Sequence, residues 1–179
     1  MAFYNYGAIP KATTNKPGMC TILVAPISYF SSIKTPTAHA AAGDSKEIST
    51  THTFATGKGF IKFNGYVRPK GTGKGSTVGD QGSRTMKWEV SAAVAGLNSE
   101  LLEFIEGGIN EDFIVLAKDG CACGIDTSDY LQFGCENDPA QLMADGDIGT
   151  VEGGFKGATL KFESYGVPCV YSGSIQYIS

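Results

Sequence analysis

Residues that could do chemistry are sparse in this chain, and the most suggestive lie in one stretch. Gly71-Thr72-Gly73-Lys74-Gly75-Ser76 has the glycine, lysine and hydroxyl content of a phosphate-binding loop. Such a loop needs a glycine, four residues, then Gly-Lys followed by Ser or Thr, so that backbone N–H groups cradle the phosphates. Here Gly75 follows Lys74, and Arg68 stands where the first glycine belongs. The stretch also lacks a buried parallel strand before it and a helix after it, so a phosphate cradle is not expected.

The thiols and imidazoles are next. Cys121 and Cys123 are two apart, and in a strand such residues share a face, so both sulfurs could converge on one ion with Cys20, Cys135 or Cys169. Structural zinc sites use paired Cys-x2–4-Cys or His-x3–5-His spacings. His39 and His52 fit neither, and small apolar fillers beside a turn describe the cysteines better. His52 lies in an alternating segment with Thr51 and Thr53 directed to the other face, and no Gly-x-Ser-x-Gly elbow accompanies it. It reads as a surface or half-buried strand histidine. Asp126, Asp129, Asp145 and Asp147 stand in turn sequences, where Asp is favoured for local backbone hydrogen bonds. Phe60, Phe63, Tyr66 and Trp88 alternate and read as sheet core in preference to a stacking platform. No catalytic, metal-binding or cofactor-binding set is expected.

The elements that would position these groups are mainly strands. Cys20–Ala25 is a short buried strand stopped by Pro26, and 27–33 a possible second. Thr51–Phe63 alternates, as does Thr85–Val90 with Trp88. Between them, residues 68–84 are rich in Gly, Lys, Ser and Thr and nearly free of apolar side chains. They read as a long loop that orders on a partner, since it buries too little to offset its own entropy. One helix is expected at about 98–106: Asn98 is a good N-cap, Glu100 suits the positive end of the dipole, Leu101, Leu102, Phe104 and Ile105 form the apolar face, and Gly107-Gly108 ends it. Asp119-Gly120 between apolar runs predicts a tight hairpin of 112–118 with 121–125. Further strands fall at 130–135, 140–145, 150–152 and 156–163, the last with Leu160 and Phe162 inward and Lys161 and Glu163 outward. Pro168 places 167–171 at a sheet edge.

Strand spacing with intervening turn signals predicts an antiparallel β-sandwich or barrel with one flanking helix. Residues 1–45 read as an extended N-terminal arm and first strands, and 46–179 as the sandwich, one domain overall. The 24 glycines, 10 Phe and 8 Tyr fit strands joined by tight turns. No apolar run is long enough to span a bilayer. The first residues lack the basic and apolar regions of a signal peptide, so the five cysteines are expected reduced. A net charge of −4 disfavours tight nucleic-acid binding.

Three stretches, Ile48–Phe54 with Gly57–Phe63, Phe113–Gly120, and Gly153–Pro168, give the chain a resemblance to tailed-bacteriophage structural proteins. It is most like the major tail tube proteins, including those of phages of Bacteroidetes. The resemblance covers about residues 46–172 and is one of order: hairpin with long loop, helix, Asp-Gly hairpin, then a closing strand pair around Gly153-Gly154-Phe155-Lys156-Gly157 that ends near Pro168. It implies a β-sandwich whose copies form hexameric rings stacked into a tube. The inner sheet lines a channel for genome passage, and there is neither active site nor cofactor. It also implies a place in the virion tail, assembly in the host cytoplasm, and contacts with other tail proteins but no membrane. Arg68, Lys70, Lys74 and Arg84 would then meet acidic turns such as Asp145-Gly146-Asp147 of a neighbour, and Val167, Val170 and Tyr171 would pair at an exposed edge. DNA would be transient cargo repelled by the acidic ring. A capsid decoration or head–tail completion protein, and a monomeric ligand-binding β-sandwich with 68–84 as a lid, are the alternatives.

Overall fold

A computed structural model describes residues 19–36, 41, 43–63, 72–119, 130–149 and 153–178. The chain opens with β1 (Met19–Pro26), a 3-10 turn at Ile27–Tyr29, and β2 (Phe30–Ser32). A second 3-10 turn, Asp44–Lys46, leads into β3 (Glu47–Ile48), followed by β4 (Thr53–Phe54) and β5 (Ile61–Lys62). The hairpin β6 (Thr72–Val78) and β7 (Thr85–Ala95) precedes α1 (Ser99–Gly108). The remaining strands are β8 (Asp112–Asp119), β9 (Tyr130–Phe133), β10 (Ala140–Asp147), β11 (Gly157–Tyr165) and β12 (Cys169–Tyr171). The expected class holds: a mainly β, sandwich-like fold with one helix.

The centre is the antiparallel pair β1–β8, in register from Ala25↔Ile114 to Thr21↔Lys118. Their continuous apolar runs follow from burial on both faces. Ile22, Val24, Phe113, Val115 and Ala117 point into one core, and Leu23, Ala25, Ile114 and Leu116 into a second on the opposite face. β1 is thus interior to the fold, although it falls within the N-terminal 45 residues. The other edge of β8 is shared, with β10 at Asp112 and Phe113 and β9 at Val115–Ala117. From that fork one arm runs β10–β11–β7–β6 and the other β9–β12–β3. The small β2–β4 sheet closes over the second core, where Phe30, Phe54 and Phe60 stack.

The helix forms where expected. The Asn98 side chain accepts a hydrogen bond from the Leu101 N–H at 2.8 Å, which satisfies one of the free N-terminal donors. Leu101, Phe104 and Ile105 pack on the first core, but Leu102 is 51% exposed, because it lies about 100° round from Leu101. Gly107-Gly108 is not the stop. The helix runs through Gly108 to a cap at Ile109, and a Cβ on Gly108 would sit 2.9 Å from Leu142 and 3.2 Å from Phe113. That glycine serves close packing.

Three further expectations change. Residues 72–78 are not loop but strand β6, fully in register with β7 from Thr72↔Ser91 to Val78↔Thr85. The Asp-Gly hairpin partner is β9, in the register Leu116↔Gln132. A two-residue turn at 119–120 would pair Lys118 with Cys121, so the connection is longer; residues 120–129 lie outside the described set. β12 is no edge: β9 flanks it on one side and β3, parallel, on the other. Between Thr51 and Phe63 regular pairing is limited to β4 and β5. The expected strand at 150–152 lies outside the described residues.

Candidate assembly surface

The outer face of β6–β7–β11–β10 is a ruled polar surface. The registers place Lys74, Glu89, Glu163 and Gln141 in one row across the four strands, and Thr72, Ser91, Lys161 and Met143 in the next. The alternation that sends Leu160 and Phe162 inward sends these outward. Lys87 pairs with Glu163 at 2.8 Å, and Lys161 pairs with Asp145. Each bridge is diagonal across one strand pair, and each lysine is held above its ordinary pKa chiefly by the hydrogen bond to its carboxylate. Thr72 and Ser91 hydroxyls share a hydrogen bond at 2.8 Å. Such rows fix the face geometrically while contributing little stability each.

The sheet ends at β6. Its residues 72–77 are exposed, and among the described residues no strand pairs with its outer edge. Gly75 has a specific reason: a Cβ there would meet the Trp88 indole at 2.7 Å, so the ring lies over the bare backbone. The indole also packs on Phe133, at 5.6 Å between centroids, and its buried Nε1 has no hydrogen-bond partner among the described residues. The turn uses Gly79 and Gly82 at positive φ, where side chains are disfavoured.

The expected interface residues divide. Arg68 and Lys70 lie outside the described residues. Lys74 is exposed on β6 opposite Glu89, and Arg84 is exposed just before β7, so both are on the hairpin. Val167, 52% exposed, and Val170, 36% exposed, stand at the opposite arm of the sheet. Tyr171 is fully buried and cannot serve as a contact. Asp145 already pairs with Lys161 of its own chain, and Asp147 accepts from the Gly149 N–H. Both acidic groups are therefore engaged locally.

Tyr171 instead belongs with His52, which is 1% exposed and not a surface residue. Their rings stack at 4.7 Å. The Lys34 N–H donates to His52 Nδ1 at 3.0 Å, so the ring proton sits on Nε2 and is donated to Gln132 Oε1 at 2.8 Å. The Tyr171 hydroxyl accepts from the His52 N–H and donates to the Ser174 carbonyl. Burial holds His52 below its usual pKa, against the opposing pull of Gln132. This is a satisfied neutral network joining four segments, with no nucleophile in it. Gln132 was not legible as a participant, since nothing local in Tyr130–Phe133 marks one glutamine for burial.

Two concavities stand out among the described residues. One, about 340 Å³, lies beside Lys34, Lys46, Gln132, Cys135 and Cys169. Both cysteines are free thiols, and burial raises that of Cys169, which makes it a poor nucleophile. The Cys121 and Cys123 pair lies outside the described residues, and no metal-ligating cluster occurs among those described. The other is a groove between α1 and the start of the fold, floored by aromatic rings. Compared with family models, curated proteins and solved structures, the chain matches none.

Proposed function

We propose that this chain is a virion structural subunit of the tail-tube kind: copies associate through sheet edges into rings, the rings stack, and the tube conducts the phage genome. The observation that carries the proposal is the edge of β6, seven residues long, mostly exposed and left open among the described residues at the end of a sheet. An unpaired edge is a ready template for another chain. The opposite end of the sheet path is β3, so pairing of unlike ends is head-to-tail, and head-to-tail contacts close into rings when the rotation permits. Lys74 and Arg84 supply positive charge on the hairpin beside that edge to orient a neighbour. The ruled face of β6–β7–β11–β10 suits a channel wall: mostly polar and ion-paired. At −4 per chain, a hexameric ring repels DNA in transit. The proposal assigns the chain no catalytic step and no cofactor, and it places the protein in the phage tail beside other tail components.

Negative-stain electron microscopy of the purified chain, with light scattering for mass, tests this. Rings or tubes with a central channel are the expected result. A monomer at every attainable concentration overturns it in favour of a ligand-binding module, and closed trimers favour a capsid decoration protein.

A further inference from the structure

Beyond β2 the chain leaves its small sheet, and residues 34–36 form one wall of the cavity of about 340 Å³, with 132–135 and 164–169 among the others. Among the described residues, the backbone of 34–36 is tied to the rest of the fold by one hydrogen bond, from the Lys34 N–H to His52 Nδ1 at 3.0 Å. Lys34 Nζ turns back to Ser32 within the same segment. Ile33, packed on the second core, is the last firm anchor before it.

The tie lasts only while Nδ1 keeps its lone pair. A proton there turns the acceptor into a donor, and two N–H groups then face each other. Nε2 meets no such conflict, because it donates to Gln132 Oε1 at 2.8 Å in either state. The buried ring has no room to turn: it stacks on Tyr171 at 4.7 Å and stands edge-on to Phe30 at 5.5 Å, with Phe60 beyond. Burial keeps the Tyr171 hydroxyl protonated, and the Lys34 ammonium repels a second cation. The conflict therefore falls on the partner held least firmly, which is 34–36. We infer that His52 is an acid-operated latch: its protonation releases 34–36 and opens the cavity beside Cys135 and Cys169. Burial disfavours the charged ring while the latch is closed, so closure is complete above the open-state value near 6.5 and is lost as pH falls below it.

Hydrogen exchange of the full chain tests this, resolved to single amides by mass spectrometry and corrected for the intrinsic rate at each pH. Two results are expected. Lys34 is protected at least tenfold less than Val115 on β8, whose exchange needs the core to open, so 34–36 opens on its own. Its protection falls at least threefold between pH 7.5 and 5.5, with a limiting slope of about tenfold per pH unit for one proton taken up on opening. His52→Asn offers the Lys34 N–H a side-chain oxygen and does not titrate, so it should remove the slope. Lys34 protection that is flat with pH in the wild type overturns the inference. Protection equal to that of Val115 at every pH also overturns it, by making release part of global unfolding, and so does a slope retained in His52→Asn. If that variant does not fold, the ring 15N shifts of the wild type decide at pH 7.5: a proton on Nε2 supports the latch, and one on Nδ1 overturns it.

Discussion

At the residue scale, two side chains show how burial decides role. His52 is held neutral in the fold, below its usual pKa, by desolvation. Its contribution to stability is therefore present above the unfolded value near 6.5 and is lost as pH falls toward the folded pKa, since the unfolded chain then binds the extra proton. Urea unfolding should show stability dropping between about pH 7.5 and 5.5, by at most about 1.4 kcal/mol per pH unit, with a flatter profile in His52→Phe. A wild-type profile as flat as the variant's would mean that the imidazole titrates alike in both states. Trp88 is the second case. Replacing it by Ala removes the ring that covers Gly75 and abuts Phe133, and should cost about 3 kcal/mol. Gly75→Val should cost about 1–3 kcal/mol by forcing that ring aside. Midpoints of chemical denaturation measure both, and a neutral Gly75→Val would show that the hairpin shifts freely. The sequence marks Trp88 as core by alternation; it does not mark Gly75, whose need lies across the strand pair.

At the element scale, that difference explains which parts of the fold are legible. β1, β7 and β11 announce themselves because their side chains alternate or are uniformly apolar, a local signal. α1 carries its cap and its periodic face within ten residues. β6 has almost no alternation to read, because glycine has no side chain to point either way. Its strand character comes from pairing with β7. Likewise Pro168 suggests an edge, yet β12 gains a parallel partner in β3 from more than a hundred residues away, and long-range pairing leaves no local mark. The candidate interface shares this limit: Lys74 and Arg84 are found by charge, while the burial of Tyr171 follows only from tertiary contacts. Because Lys74 and Arg84 are exposed on the hairpin, Lys74→Glu with Arg84→Glu should lower the unfolding midpoint only slightly, through the new carboxylate opposite Glu89, and weaken assembly far more. Sedimentation velocity distinguishes the two effects, and undiminished assembly in the double variant would remove these charges from the contact.

At the scale of the whole molecule, net charge opposes the edge pairing that the proposed assembly requires. Two bodies of charge −4 with centres about 40 Å apart repel by roughly 2 kcal/mol in water without salt. Exposed ion pairs at the hairpin return about 0.2–1 kcal/mol each, so a pair or two leaves net repulsion between neighbours. Backbone hydrogen bonds along β6 are indifferent to ionic strength. Raising salt from about 10 to 150 mM shortens the screening length from roughly 30 to 8 Å, which removes the repulsion between centres but weakens the contact pairs less, because they lie well inside that length. Assembly should therefore increase over this range, with light-scattering mass rising as salt is added. A mass that falls with salt would mean that charge pairs, and not the open edge, hold the copies together, and the Lys74→Glu/Arg84→Glu variant would then lose assembly entirely.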